Sequence, residues 1–331
     1  MNERKLQLDR SLLIEFIREW YRVQIISLHQ LPSDSGKYIY QVKLENGESW
    51  ILRVGDDSSK AAIAELAQLL IFFEQKGYPA ERIVLTASQT AIAAIDNWHL
   101  LMTTFLVGAP PEYTPASLLI LGSVVGQLHA LQPLPTYVPP QADMLPSGEI
   151  AFAQQQLTAI ASLVPHQYVA QYELLEKALS SIDYGVNLPT TLIHNDCHPG
   201  NALLTAPGQV TLLDWEGAGM GPAVLDVGFL LLNCDGKAPW DPLSATPFHP
   251  DGERLRAVIE GYCRYHQLTI DEFNYLPTAV RFRSLVFGAC NFAAAIAKRE
   301  NADFSQWWWK RYCVAEEIVD MARSCFEQVL R

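Results

Sequence analysis

Positive charge is scarce in this chain: Lys and Arg number 24 against 36 Asp and Glu, a formal net charge of −12. A nucleic-acid partner therefore has no electrostatic support. Cysteine is sparse as well, six residues (Cys197, Cys234, Cys263, Cys290, Cys313 and Cys325) with no C-x-x-C pair. That pattern argues against a disulfide scaffold and for reduced thiols in a cytoplasmic protein. No charge-free run reaches the roughly 20 residues of a membrane span, and Met1-Asn2-Glu3-Arg4-Lys5 leads into no apolar signal core. No membrane partner is expected. Repeats, low-complexity tracts and a G-x-G-x-x-G loop are absent too. What is present is a globular composition, 49% hydrophobic and 18% charged over 331 residues, enough for one large or two modest domains.

The most informative stretch is Leu192-Ile193-His194-Asn195-Asp196-Cys197-His198-Pro199-Gly200-Asn201, with Leu213-Asp214-Trp215-Glu216 just after it. Between them the sequence reads as a hairpin: the apolar run Ala202 to Thr205, turn residues Ala206-Pro207-Gly208-Gln209, then the strand formers Val210 to Leu213. Pairing Thr205 with Val210 puts Asn201 opposite Asp214, and facing residues of an antiparallel pair have Cβ atoms about 4.5–5.5 Å apart. An amide oxygen and a carboxylate at the open end of a rigid hairpin form a cradle for a hard cation such as Mg²⁺. Asp196 lies on the loop just before, within reach of a group the metal orients. This is a phosphoryl-transfer site in outline. A polyanionic nucleotide needs divalent cations between it and such carboxylates, and Asp196 is placed to accept a hydroxyl proton.

The order His194, Asp196, Asn201, Asp214 follows the spacing of the protein-kinase catalytic loop and its later metal-binding acid. With Gly221-Pro222-Ala223-Val224-Leu225-Asp226, these segments resemble the aminoglycoside phosphotransferase / choline kinase-like family of small-molecule kinases. The resemblance implies an α+β, two-lobed protein-kinase-like fold, with a small N-terminal lobe of antiparallel sheet plus helix and a large, mainly helical C-terminal lobe. Residues 1–103 would form the nucleotide-binding lobe and 104–331 the catalytic and substrate-binding lobe. It further implies ATP and Mg²⁺ as cofactors, a small-molecule hydroxyl acceptor, Asp196 as catalytic residue, Asn201 and Asp214 as metal ligands, and Thr103 to Phe105 as a hinge whose backbone bonds adenine.

Ser11 to Tyr21 has helical apolar spacing, and a strand is expected at Val23 to Ile26. Leu31 to Lys37 stands where kinases place a phosphate-covering loop. Ser35 and Gly36 are its candidate phosphate contacts, and an ordinary turn is the plainer alternative. Asn46-Gly47 signals a hairpin that sets Arg53 opposite Tyr40. Protein kinases carry a phosphate-binding Lys on the corresponding strand. Arg53 departs from it, although a guanidinium binds phosphate bidentately. Ser58 to Lys76 reads as a helix capped by Ser58 or Ser59 and ended by Gly77 and Pro79, and its Glu65 is the expected partner of Arg53. Strands are expected at Ile83 to Leu85, Thr90 to Ile95 and His99 to Leu106, and helices dominate from Pro115 onward.

Other candidates carry less. His194, Cys197 and His198 would suit a transition metal, but no second His/Cys cluster accompanies them. Trp307-Trp308-Trp309 with Tyr312 suggests an aromatic cage for a cation, yet successive helical residues point about 100° apart, so core packing is the simpler reading. Asp235, Asp241, Asp251 and Asp303 are possible contacts for an amine-bearing acceptor, with solvation the default. Two further classes stay open: a metal-dependent phosphohydrolase on the same acids, and a nucleotide-binding module without catalysis, suggested by the missing glycine motif and by Arg53.

Overall fold

The computed structural model describes residues 10–32, 38–134, 137–142, 145–182, 187–206, 208–234, 250–302 and 305–329. The chain divides into two compact units, residues 1–107 with 134–138, and residues 108–133 with 139–331. The division falls after Val107, where the sequence reading placed it after Thr103.

Unit 1 begins with α1 (Arg10–Tyr21) and then builds β1 (Ile25–Gln30), β2 (Tyr38–Leu44), β3 (Ser49–Asp56), α2 (Lys60–Lys76), β4 (Ile92–Ile95) and β5 (Trp98–Thr104). The five strands form one antiparallel sheet in the order β1-β2-β3-β5-β4. Leu28, Val42, Leu52, Leu100 and Met102 are buried with Leu13 and Ile17 of α1 in a single apolar cluster.

The β2–β3 hairpin corrects the expected register by one residue: Arg53 faces Ile39, and Tyr40 faces Leu52. The Leu44 N–H donates to Glu48 O at 2.9 Å, so the loop has three residues, and Gly47 takes the left-handed φ of 88° that such loops require. The α2 cap also differs. The Asp56 carboxylate accepts from the Ser58 N–H and opens a 3-10 turn at Asp57–Ser59, whereas Ser59 makes no side-chain cap. Gly77, at φ 66°, ends α2 as expected. Ile83 to Leu85 forms only a single bridge, Ile83 to Thr103.

Unit 2 contains α3 (Pro115–His129), α4 (Pro146–Ile160), α5 (Val169–Ser181), β6 (Thr191–Ile193), β7 (Ala202–Ala206), β8 (Gln209–Leu212), β9 (Gly219–Gly221), α6 (Ala223–Leu232), α7 (Gly252–Cys263), α8 (Ile270–Lys298) and α9 (Ser305–Val329). α3 and α7 approach at backbone distance, because a Cβ on Gly261 would lie 2.0 Å from Leu119 O. α8 starts on a Thr269–Glu272 capping box. By length and composition α8 could cross a membrane, but most of its apolar window is buried inside the protein, where it packs on α4, α6 and α9. β6 pairs with β9, and β7 with β8. These two short ribbons carry the loops of the candidate site.

Candidate active site

The loop from His194 to Asn201 hangs from one buried carboxylate. Asp226, in the first turn of α6, accepts the backbone N–H groups of His194 and Asn195, both at 2.7 Å. Its Oδ2 also takes Nε2 of His129, at the end of α3, at 3.0 Å, and His129 Nδ1 meets the Tyr262 hydroxyl of α7 at 3.0 Å. Burial alone would raise the Asp226 carboxyl, but the bonds from His129 and the His194 backbone more than offset it and hold it below its ordinary range. A fully buried charge with three donors is a satisfied one.

His194 braces the loop from within. Its Nε2 donates to Leu213 O at 2.8 Å, its Nδ1 accepts the Asp196 N–H at 3.3 Å, and its ring lies 4.6 Å from that of Trp215. Those two bonds select the neutral Nε2–H tautomer. His198 Nδ1 accepts the Gly200 N–H at 3.0 Å, while burial pushes this imidazole down to about 4 despite the opposing charge of Asp196, 4.0 Å away. Both histidines thus act as neutral hydrogen-bonding struts.

Asn201 donates through Nδ2 to Asp196 Oδ2 at 2.8 Å and to Asp196 O at 3.1 Å. These two bonds orient the amide. The hairpin beyond it is shifted from expectation: Leu204 pairs with Val210 and Ala202 with Leu212, so Asn201 stands opposite Leu213, whose N–H donates to Asn201 O at 2.8 Å. Thr205 is the cause. It forms a bulge, and its hydroxyl bonds Gln209 O and the Thr211 hydroxyl, each at 3.4 Å. Asp214 therefore sits one residue past the pairing partner of Asn201. It is exposed and takes a left-handed φ of 63° at the hairpin end. A carboxylate and an amide oxygen are the hard donors that Mg²⁺ favours, so the chemistry of these two side chains fits the cation. Among the described residues no group of three His, Cys, Asp or Glu side chains forms a metal cluster.

Two charged residues missed in the sequence complete the surroundings. Arg283, buried in α8, donates through Nη2 to both Asn195 O and Asn195 Oδ1 at 2.6 Å, and its Nη1 forms an ion pair with Glu149 of α4 at 3.3 Å. The available signal was two arginines, Arg281 and Arg283, among the apolar residues of Val280 to Phe287, and a single acid in the first turn of α4.

In unit 1, Arg53 forms an ion pair with Glu81 at 2.8 Å and donates to the Thr103 hydroxyl at 3.0 Å. The expected partner Glu65 is instead exposed on α2. Thr103 is fully buried, and the N–H groups of Thr104 and Phe105 already donate to Arg82 O and Ser49 O. Ser35 and Gly36 lie outside the described residues, as do Asp235, Asp241 and Asp303. Asp251 caps α7. Trp308 is buried against Phe287, and Trp309 stacks on Tyr312. These two rings are packed rather than caged.

The phosphotransferase enzyme family (APH) matches residues 27–268, most of the chain and every loop residue described above. The chain belongs to this family. It is a small-molecule kinase. Solved structures of the same fold include amicoumacin kinase hAmiN (19% identity, TM-score 0.66, 93% of each chain covered). An aminoglycoside phosphotransferase from Alicyclobacillus acidocaldarius shares 17% identity at TM-score 0.61 over 99% of each chain. A choline kinase from Cryptosporidium parvum shares 13% at TM-score 0.65, over 97% of this chain and 98% of its own. At these identities the likeness establishes the protein-kinase-like α+β fold. No curated protein sequence matches the chain.

Proposed function

We propose that this phosphotransferase-family enzyme moves the γ-phosphoryl group of ATP, taken up with Mg²⁺, to a hydroxyl of a small amino alcohol or amino sugar. The observation that carries the reading is the rigid pairing of Asp196 with Asn201 on a loop suspended from Asp226. Asn201 Nδ2 occupies Asp196 Oδ2, which leaves Asp196 Oδ1 to take the acceptor's hydroxyl proton as the new O–P bond forms and ADP departs. Asn201, through its amide oxygen, and Asp214, through its carboxylate, would hold Mg²⁺, which neutralises phosphate charge when bound. Arg53, oriented by Glu81 and Thr103, is assigned to the nucleotide phosphates. Ser35, Gly36 and the Thr103 to Phe105 segment are proposed nucleotide contacts on the family resemblance. With the Thr104 and Phe105 N–H groups already engaged, adenine would have to use other backbone atoms there.

The acceptor class follows what related folds are described with. Amicoumacin kinase was solved with AMP-PNP, Ca²⁺ and Ami, a spectinomycin phosphotransferase with ADP and spectinomycin, and an aminopropanol kinase and choline kinases share the fold. All six cysteines are free thiols, which suits the proposed cytoplasmic setting.

The test is ADP release from Mg-ATP across amino sugars, amino alcohols, choline-like amines and neutral sugars. Phosphorylated product with one class, lost in Asp196→Asn, is the expected result. Phosphate release from phosphoesters without ATP would point to a hydrolase, and ATP binding without turnover on any acceptor would point to a nucleotide-binding module. Either result overturns the proposal.

A further inference from the structure

This inference rests on Asp196 being the group that takes the acceptor's proton. We propose that Arg283, seated on Glu149, is a positioning residue that clamps the Asn195–Asp196 peptide and so aims the Asp196 carboxylate.

The clamp is visible atom by atom. Asn195 takes a left-handed φ of 65°, a conformation that Asn tolerates but that needs surrounding support. Its N–H is fixed by Asp226 at 2.7 Å, and its carbonyl oxygen by Arg283 at 2.6 Å. That carbonyl belongs to the same peptide as the Asp196 N–H, which His194 holds at 3.3 Å. Rotation of this peptide would swing the Asp196 side chain, and Arg283 opposes it. The same Nη2 also binds Asn195 Oδ1, so backbone and side chain are held together. The guanidinium is itself confined. It lies over the rings of Phe229 and Phe282, with centroid distances of 5.6 and 5.2 Å, and Glu149 pairs with its other arm.

Stability alone does not explain the arrangement. Among the described residues, Glu149 Oε2 and Asn195 Nδ2 are buried without a hydrogen-bond partner, which costs stability. Apolar side chains of similar volume commonly replace buried ion pairs with no loss of stability. The Glu149 carboxyl also senses the Asp196 carboxylate. Burial pushes it up to about 7, Arg283 pulls against that, and Asp196 adds to the push.

The test uses the full-length enzyme and Mg-ATP alone, with slow hydrolysis to ADP as the probe and the thermal midpoint as the check on folding. Glu149→Gln/Arg283→Met removes both charges at similar volume. It should fold and lose about 100-fold in kcat with the KM for ATP changed less than about two-fold, as expected for a catalytic group displaced by about 1 Å. Arg283→Lys, which keeps one donor nitrogen and the charge, should recover about ten-fold in kcat over Arg283→Met. A folded double variant with kcat within about three-fold of wild type overturns the proposal, as does a loss carried by KM. Should every Arg283 variant unfold, the isosteric Glu149→Gln decides. A several-fold fall in kcat at constant KM supports positioning, whereas unchanged kcat, or failure of this variant to fold too, makes the pair structural and overturns it. Asp196→Asn is the separate control. If it retains the full rate, the reading of Asp196 itself falls, and if it alone is inactive, only the role of Arg283 does.

Discussion

Replacing Asp226 by Asn tests the anchor from which the whole loop hangs. The carboxylate accepts three hydrogen bonds in a site from which water is excluded: two backbone N–H groups at 2.7 Å and His129 Nε2 at 3.0 Å. A carboxamide has one oxygen. Its best orientation keeps that oxygen at the Oδ2 position, which serves two donors, and turns the NH₂ toward the Asn195 N–H. One buried N–H is then left opposite another donor, at about 1–3 kcal/mol. The two surviving bonds change from charge-assisted to neutral, a loss of about 1 kcal/mol each. Relief from burying a carboxylate offsets part of this, so a net loss of about 3 kcal/mol is expected, a large share of the roughly 5–15 kcal/mol that stabilises a typical domain. The sign of the pH dependence follows from the lowered carboxyl. Its contribution is present above the unfolded Asp value of about 3.9 and is lost as pH falls through the lower folded value. Urea unfolding of both proteins at pH 7 and at progressively lower pH measures this, provided m is unchanged. The gap should narrow in acid. A loss under about 1 kcal/mol at pH 7, or a gap that widens on acidification, would refute the account of the anchor.

Three further outcomes can be checked. Glu149 has the opposite sign: its folded carboxyl is raised from 4.5 to about 7, so the native state holds the extra proton and wild-type stability falls as pH rises through that window. Glu149→Gln should therefore be more stable than wild type at pH 8, by up to about 3 kcal/mol, with the difference fading toward pH 4.5 in chemical denaturation. Gly261→Ala would drive a methyl to 2.0 Å from Leu119 O and should lower the thermal midpoint by several degrees, whereas Gly148→Ala in α4 meets nothing within 4 Å and should hold or raise it slightly. Asp214→Asn keeps a side chain that tolerates φ 63° and should still fold, but ATP-driven turnover should drop by at least about 100-fold, and full activity in this variant would remove Asp214 from the site.

Much of this was legible because it is local. Asn-Gly announces a turn over two residues, and His194, Asp196, Asn201 and Asp214 keep an order that the spacing alone preserves. Register was less legible, and both hairpins were displaced by one residue for reasons of backbone conformation. In β2–β3 the left-handed Gly47 shortens the loop, and in β7–β8 Thr205 bulges out of the ladder. Neither event alters the apolar pattern that guides a count along the strands. The Arg53 partner was misplaced for a related reason. Glu65 lies on a periodic helix and invites pairing, while Glu81 follows Pro79 in an irregular segment where periodicity gives no direction. His129, Glu149 and Arg283 sit in apolar helices, each with its partner far along the chain, and only the folded arrangement joins them.

The same contrast bears on how the site gains its accuracy. A hairpin end and a glycine-containing loop are mobile supports by nature, and the base proposed at Asp196 would have to be held to a fraction of an ångström. Here the tolerance is set elsewhere. α6 supplies a carboxylate to the N–H groups of His194 and Asn195, and α8 supplies a guanidinium to the carbonyl of Asn195. Opposite charges thus grip opposite ends of the same residue, each matched to the polarity of the backbone group it meets. Their failures should differ in kind. Loss of the α6 carboxylate strands buried N–H groups and destabilises the fold, whereas neutral replacement of the α8 pair leaves a packed core and a misdirected Asp196. Stability and turnover measured side by side on Asp226→Asn and on the Glu149→Gln/Arg283→Met variant should therefore separate, the first losing both and the second chiefly kcat.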